Sequence, residues 1–279
     1  MKASHLLGAA FSLFIAAGSF AATTATFNGG ADTPVNLQVF GDPGGPSIQP
    51  AGGLTGGYLE LSGAVNAQHN WATFDRTDIG TSPRADFSFS FKITAPVTPS
   101  ADGFSFSFAN TANYGSVGGV LAPPFTAEDP AATGILGFGF DTWSNNGGQG
   151  GFDDPLQPQS SDYHEVSLFY NGAMLNRIDN TRLLATPLFL DDGNWHNVTG
   201  SVDFLGGRVS LSVDGQALYN SFAVPGLVPF ESRIMFAART GNENEIAAID
   251  NLNVLWVPEP ATAGLGLLAG ALLLGRRRR

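Results

Sequence analysis

The residues of this chain best suited to chemistry lie in one glycine-rich stretch, residues 134–155. Its first part alternates Phe138 and Phe140 with glycine, as a half-buried strand does, and its character changes at Asp141. Hard oxygen donors follow, and Ca²⁺ takes about six to eight of these in proteins. The candidate ligands are the side chains of Asp141, Asn145 and one of Asp153 or Asp154, with the carbonyl of Trp143. The stretch therefore predicts a calcium loop, and the alternative is a long hairpin loop with solvated acids.

Both ends of the chain carry the features of sorting signals. Lys2, an apolar run over residues 6–17 and small residues up to Ala21 predict a secretory signal peptide over residues 1–21. At the other end, Pro-Glu-Pro precedes about 15 apolar residues, which are short for a bilayer span, and four arginines that suit cytoplasmic retention. This tail, residues 258–279, resembles the PEP-CTERM sorting signal of Gram-negative bacteria. The resemblance implies transient inner-membrane anchoring and processing by an exosortase, and a plain membrane anchor is the alternative.

Between these ends, residues 22–257 hold 8 lysines and arginines against 23 aspartates and glutamates. A nucleic-acid surface needs a basic patch, which the scattered arginines of the sequence do not offer, so we predict no nucleic-acid partner. The chain has no cysteine, so burial rather than disulfides must stabilise the fold. The composition is typical of one soluble exported domain over residues 22–257.

Alternating patterns predict about ten to twelve strands in this domain and no helix. The clearest are two phenylalanine ladders, over residues 87–93 and 104–108, where every second residue is large and apolar. Two-residue turn signals separate further strands, at Asn171-Gly172, Gly206-Gly207 and Asp214-Gly215. Residues 41–57 and 109–129 lack periodicity and are predicted as loops. Regular strands without helices predict an all-β antiparallel sandwich.

Four motifs, in order, resemble those of the legume-type (L-type) lectins. They are the Ala-Asp-Gly strand start at 101–106, the Phe-Asp-Thr-aromatic-x-Asn calcium motif at 140–145, the later Asp-Pro at 154–155, and the strand with its Thr-Gly turn at 235–241. The resemblance covers residues 85–256. It implies a jelly-roll sandwich of the concanavalin-like lectin and glucanase type, in which a calcium loop touches a sugar site.

The resemblance also assigns roles to single residues. In that family the residue corresponding to Asp102 accepts hydrogen bonds from sugar hydroxyls, and the one corresponding to Asn145 binds calcium and donates to the sugar. A carboxylate only accepts and an amide can donate, so the two together match neighbouring hydroxyls. The further sugar-contacting positions implied are Gly241 and Asn242, with Trp143 or Tyr114 as an aromatic cover.

The sequence departs from the plant lectins at two points. Gly139 stands where they have a glutamate, which implies that a transition-metal site is absent and that calcium is the cofactor. The gap from Asn145 to Asp154 is longer, so Asp153 and Asp154 both stay eligible. His164 begins a strand as that family's histidine does, and we interpret it as a strand residue rather than a ligand.

Two other functions compete with sugar binding. Glycoside hydrolases share this sandwich and need two acids beside the scissile bond, but no strand has the Glu-x-Asp-x-x-Glu pattern of glucanases. Glu243 and Glu245 are interpreted as solvated charges at a loop tip, and His196 as a residue that begins a strand. No Gly-x-Ser-x-Gly turn supports a serine triad, so we predict no enzyme and no catalytic residues. The other competitor is a matrix module of the same fold that binds no sugar.

The sequence therefore predicts an exported, calcium-dependent carbohydrate-binding protein. Its expected location is the cell envelope or the extracellular exopolysaccharide matrix of a Gram-negative bacterium. Its expected partners are a glycan or exopolysaccharide and, at the tail, an exosortase.

Overall fold

The computed structural model describes residues 21–39, 45–96, 100–120, 127–143, 164–179 and 184–258. Within these ranges, fifteen strands form two antiparallel sheets that pack face to face. The predicted antiparallel β-sandwich is confirmed. The predicted signal peptide, apart from Ala21, and the tail after residue 258 lie outside the described residues, so the domain boundaries stay predictions.

The first sheet has eight strands. They are β1 (Ala21–Ala25), β3 (Ser47–Gln49), β4 (Tyr58–Ser62), β6 (Arg84–Thr94), β11 (His196–Asp203), β12 (Arg208–Val213), β13 (Gln216–Ala223) and β15 (Ile246–Val257). Their order is β13-β12-β11-β6-β15-β4-β3, and β1 also pairs with β15.

The second sheet has seven strands and carries the candidate site. They are β2 (Val35–Val39), β5 (His69–Phe74), β7 (Gly103–Asn110), β8 (Ile135–Asp141), β9 (Glu165–Tyr170), β10 (Ala173–Asp179) and β14 (Ser232–Arg239). Their order is β10-β9-β8-β7-β14-β5-β2. One helical turn, α1 (Thr111–Tyr114), follows β7.

The core between the sheets is built from phenylalanines that alternate along neighbouring strands. The ring of Phe89 on β6 lies 5.0 Å from Phe106 on β7 and 5.1 Å from Phe236 on β14, centroid to centroid. Phe104 and Phe140 stack at 4.7 Å on the next strand pair. Such aromatic pairs contribute about 0.5–1.5 kcal/mol each beyond the area that they bury. The two predicted phenylalanine ladders are thus confirmed, and they face each other across the sandwich.

Local predictions are confirmed at the turns and wrong in parts of the loops. Asn171-Gly172, Gly206-Gly207 and Asp214-Gly215 each join two paired strands. The predicted loop 41–57 contains β3. In the predicted loop 109–129, β7 continues to Asn110 and α1 follows it. The helical turn forms because the Asn110 side chain caps it by accepting the Ala112 N–H. No helix in the described ranges is long and apolar enough to cross a membrane.

The face of the seven-stranded sheet that points away from the core carries small residues at its centre. Ser105 on β7 pairs with Gly139 on β8, which pairs with Ser167 on β9. Residues 127–132 pack against this face, and the Ser105 hydroxyl donates to the Ala127 carbonyl at 2.5 Å. A Cβ on Gly139 would lie 2.5 Å from the Glu128 carbonyl oxygen. The small residues therefore let this segment lie directly on the sheet, next to the candidate site.

Candidate carbohydrate and cation site

Three strand ends meet at one level of the seven-stranded sheet. Gly103, the first residue of β7, pairs with Asp141 at the end of β8 and with Arg239 at the end of β14. Beside this row lies a pocket of about 260 Å³. Its lining residues are Ala101, Asp102, Trp143, Arg239, Gly241, Asn242 and Glu243. The structure thus brings Asp102, Trp143, Gly241 and Asn242 together, as the sequence predicts.

Asp102 is fixed by its backbone on both sides. Its N–H donates to the Arg239 carbonyl at 3.2 Å, and its own carbonyl accepts the Thr142 N–H at 3.1 Å. The peptide bond from Ala101 to Asp102 is cis. Only 3% of the residue is exposed, and a Cβ on Gly241 would lie 2.9 Å from the carboxylate oxygen Oδ2. Glycine at 241 therefore leaves space directly over this carboxylate.

Arg239 lies between two acids. Its Nη2 is 3.4 Å from Asp102 Oδ2, and its Nη1 donates to Glu128 Oε1. Burial lowers the pKa of this guanidinium, but the carboxylates of Glu128, Asp102 and Asp141 together raise it above its usual value. Glu128 is fully buried, and burial raises its pKa well above the usual range despite Arg239. Arg239 thus holds the Asp102 carboxylate in place at the pocket floor.

The prediction that Glu245 is a solvated charge is wrong. The residue is fully buried, because hydroxyls from two other segments contact its carboxylate. The Thr142 hydroxyl donates to its Oε2 at 2.7 Å, and the Ser100 hydroxyl lies 3.2 Å from the same oxygen. Burial raises the pKa of Glu245 to about 8, with Asp102 and Asp191 acting in the same direction.

A polar chain continues from Glu245 to His164. The Ser100 hydroxyl lies 2.8 Å from Asp191 Oδ2 and has only one proton to donate, so a protonated Glu245 would satisfy both contacts. His164 is fully buried; its Nδ1 accepts the Leu190 N–H at 2.7 Å, and its Nε2 lies 3.3 Å from Asp191 Oδ1. Both ring nitrogens have protein partners, and the residue directly precedes β9.

Buried acids outnumber the cation in the described part of this cluster. Asp102, Glu128 and Asp141 are buried beside Arg239, and Glu245 is buried near Asp102. A buried, uncompensated carboxylate costs several kcal/mol, so it takes up a proton or lies beside a cation. At Asp141, Oδ1 accepts the Trp143 N–H at 2.7 Å. A carboxylate oxygen of this kind is a ligand that Ca²⁺ accepts.

The predicted calcium ligands are only partly within the described residues. Asp141 and Trp143 lie together at the end of β8, while Asn145, Asp153 and Asp154 lie outside the described ranges. Among the described residues, no group of three or more His, Cys, Asp or Glu is placed to hold a metal ion. The calcium site therefore stays a prediction.

One of two aromatic residues, Trp143 or Tyr114, was expected at the sugar site. Trp143 lines the pocket. Tyr114 lies on α1 instead, where its hydroxyl donates to the Thr133 carbonyl at 2.6 Å and its ring packs in a cluster with Trp71. Of the two alternatives, the structure places Trp143 at the pocket and Tyr114 elsewhere. His196, as predicted, begins a strand, and it stacks on Phe91 in the core.

The fold is that of the legume lectins. The lectin from Bauhinia forficata in complex with GalNAc matches with a TM-score of 0.58 and 16% identity, over 87% of this chain and 100% of that chain. Peanut lectin with a nine-residue peptide matches with a TM-score of 0.55 and 17% identity, over 85% and 97% of the two chains. The exoplasmic domain of VIP36, bound to Ca²⁺ and Man3GlcNAc, matches with a TM-score of 0.54 and 15% identity, over 82% and 88%.

Sequence comparison gives a shorter match. The alpha-methyl-mannoside-specific lectin of Arachis hypogaea is 31% identical over 156 residues, which are 48% of this chain and 55% of the relative. The chain thus matches only about half the length of this curated relative. No protein-family model matches the sequence.

Proposed function

We propose that this protein is an exported, calcium-dependent lectin that binds a neutral glycan over Asp102. The observation that carries the proposal is the almost fully buried Asp102 carboxylate at the floor of the pocket, with glycine at 241 directly above it. A fixed carboxylate accepts hydrogen bonds from two neighbouring hydroxyls, and charge-assisted bonds of this kind are the stronger ones. The Asn242 amide and the Trp143 ring supply a further polar contact and an apolar wall.

The proposed calcium ion would be held by Asp141 and the Trp143 carbonyl, with Asn145 and one of Asp153 or Asp154. When bound, it supplies positive charge beside a cluster of buried acids. Asp141 is suited to this role because the strand end fixes its backbone and the Trp143 N–H orients its carboxylate. The same segment then positions the Trp143 ring at the pocket.

Named relatives support the ligand class. The Arachis hypogaea lectin is specific for alpha-methyl-mannoside, the Bauhinia forficata lectin was seen with GalNAc, and VIP36 with Ca²⁺ and a mannose-containing glycan. For this chain we propose a neutral hexose-containing glycan, such as a segment of an exopolysaccharide. The sequence signals at both ends support export through the inner membrane, with an exosortase acting on residues 258–279 and release to the envelope or matrix.

A glycan array tests the function. Purified protein is applied with excess calcium or with EDTA, beside the variants Asp102→Asn and Asn242→Ala. The matched control is Asp86→Asn, because Asp86 is exposed on the other sheet and pairs only with its neighbour Arg84 among the ion pairs of the described residues. We expect EDTA and Asp102→Asn each to weaken binding at least about tenfold, or about 1.4 kcal/mol, and the control to bind normally.

The other outcomes identify the competing functions. Glycan binding that survives Asp102→Asn with unchanged affinity would place the sugar elsewhere. A folded protein that binds no glycan in calcium would be a matrix module, and release of oligosaccharides from a polysaccharide would make it a hydrolase.

A further inference from the structure

A second pocket, of about 240 Å³, lies on the outer face of the eight-stranded sheet, away from Asp102. On β6 the phenylalanines 87, 89 and 91 point into the core, so Ser88 and Ser90 point outward. On β11 Val198 points inward, so Asn197 and Thr199 point outward. The strands pair Ser90 with Asn197 and Ser88 with Thr199, which places four polar side chains in one square.

A buried acid fixes the backbone of two residues that line this pocket. Asp250 on β15 is fully buried; its Oδ2 accepts the Leu54 N–H at 2.8 Å, and its Oδ1 accepts the Asn251 N–H at 2.7 Å. The pairing of β15 with β6 shifts register just after Asp250, and Asn251 has a φ of 52°. Such bulges turn a side chain in a new direction. One carboxylate thus fixes both the bulge that carries Asn251 and the loop that carries Leu54.

The loop above the pocket has little freedom to open. A Cβ on Gly53 would lie 2.3 Å from the Gly57 carbonyl oxygen and 2.8 Å from Asp250 Oδ2. Glycine is therefore required there by close packing, and the pocket is shaped before any ligand arrives. Preformed pockets with a few convergent polar groups are the usual form of small-ligand sites.

The lining groups select the chemistry of the ligand. The polar side chains are the hydroxyls of Ser88, Ser90 and Thr199 and the amides of Asn197 and Asn251, and among the described residues no charged side chain lines the pocket. The Ser90 hydroxyl donates to Asn197 Oδ1 at 3.0 Å, which leaves the amide nitrogen of Asn197 to donate to a ligand. Hydroxyls and amides both donate and accept, and Leu54, 45% exposed, offers apolar surface.

We propose that this pocket is a second binding site, for one sugar ring of a neutral glycan chain. A sugar presents hydroxyls to the amides and a C–H face to Leu54. A charged ligand would lose its hydration without meeting an opposite charge, and an apolar one would bury the polar lining groups without giving them hydrogen-bond partners. A second copy of this chain would lay a twisted sheet across the opening and leave the concave pocket unfilled. The site is separate from Asp102, so one chain could cross-link two glycan strands.

NMR of the full protein tests this site with neutral tetrasaccharides of glucose, mannose and galactose. The readouts are the side-chain amide signals of Asn197 and Asn251. The background is Asp102→Asn, so that the first pocket does not contribute. We expect at least one tetrasaccharide to shift both signals with saturation, and Thr199→Trp, which fills the pocket, to weaken the interaction at least about tenfold. Ser201→Trp, the next outward position on β11, is the matched control and should bind normally.

A second variant guards against misfolding. Asn197→Asp keeps the side-chain shape but introduces a charge, and it should weaken binding while the near-ultraviolet circular dichroism is unchanged. The proposal is overturned if no neutral tetrasaccharide shifts the two signals, or if only an anionic tetragalacturonate does. It is also overturned if the signals change with protein concentration alone, since a second copy then covers the face. Loss of all glycan binding in Asp102→Asn would also overturn the proposal, because the protein would then have only the site at Asp102.

Discussion

Glu245 is an acid held in a place that favours its neutral form. Thr142 donates to one of its oxygens, and the other oxygen has no hydrogen-bond partner among the described residues. Burial, aided by the neighbouring Asp102 and Asp191, raises the pKa of Glu245 to about 8 from an ordinary value of 4.5. At neutral pH the group is therefore mainly protonated. In this form it adds no further negative charge near Asp102.

This raised pKa makes stability depend on pH in a defined direction. Between pH 4.5 and about 8 the folded chain holds a proton that the unfolded chain releases, so the free energy of unfolding falls as pH rises through that window. Glu245→Gln keeps an acceptor for Thr142 and removes the titration. We expect the two proteins to differ little near pH 5 and the Gln variant to be more stable by a few kcal/mol at pH 8, at about 1.36 kcal/mol per pKa unit.

Urea unfolding in EDTA at several pH values measures the difference, and EDTA keeps metal binding out of the comparison. Equal pH slopes for both proteins would show that Glu245 does not titrate in this window. Asp191→Asn is the companion variant, because it removes one of the charges that raise the pKa of Glu245. It should lower that pKa, so that the fall in stability ends at a lower pH than in the wild type.

Among single residues, the sequence predicts those that line the pocket better than the buried ones that contact them. Asp102, Gly241 and Asn242 are found from short motifs because the turns that carry them are local. Arg239 and Glu128 are missed because their importance comes from a contact across 111 residues of sequence. Glu245 had a weak signal, since it directly precedes the apolar strand β15, but its burial depends on the Thr142 and Ser100 hydroxyls reaching it from other loops.

At the element scale, β8 is shaped to accept the segment 127–132. A Cβ on Gly137 would lie 2.8 Å from the Pro130 ring, and one on Gly139 would lie 2.5 Å from the Glu128 carbonyl. The segment delivers Glu128 to Arg239, which in turn contacts Asp102. The two glycines thus act on the site through the segment that they allow to approach.

Gly139→Ala tests this coupling. The added methyl group would press on the Glu128 backbone and on the Ser167 hydroxyl, 2.4 Å from the new Cβ. Overpacking of this kind costs about 1–3 kcal/mol, or a fall in the thermal midpoint of roughly 2–12 °C for a domain of this size. We also expect weaker glycan binding, because Arg239 loses its fixed partner. Calorimetry and the glycan array measure the two effects.

The matched control is Gly30→Ala, at a glycine with open space around its Cβ position. It should leave the midpoint and glycan binding unchanged. A Gly139→Ala protein with normal stability would mean that the segment 127–132 moves aside at little cost. Normal glycan binding by a destabilised Gly139→Ala protein would show that the segment 127–132 does not affect the glycan site.

Strands with a buried alternating face are predictable, and edge strands are less so. Phenylalanine at every second position predicts β6 and β7, because both strands bury the face that carries these side chains. The prediction omits β2, although Val35, Leu37 and Val39 alternate there, since glycine and proline surround this short edge strand. It indicates β10 only through the Asn171-Gly172 hairpin turn, because the burial pattern of that strand shows no alternation and nearly every residue is half-buried.

At the scale of the whole molecule, two sheets without a disulfide hold a cluster of acids at one end. The phenylalanine core supplies the burial that stabilises the sandwich, and the acids work against it wherever they stay charged. A cation bound at Asp141 would reverse this local cost. Calcium should therefore stabilise the entire domain, because it binds the folded chain and not the unfolded one.

The measurement is the thermal midpoint of residues 22–257 in excess calcium and in EDTA. Calcium at about 100 times its dissociation constant should add roughly 2.7 kcal/mol, hence about 5–10 °C. Asp141→Ala should abolish the calcium-dependent rise, whereas Asp86→Ala, an exposed acid on the opposite sheet, should keep it. A rise that persists in Asp141→Ala would locate the ion elsewhere. A midpoint that is the same in calcium and EDTA would remove calcium from the proposed function and leave the buried acids to be neutralised by protons, as at Glu245.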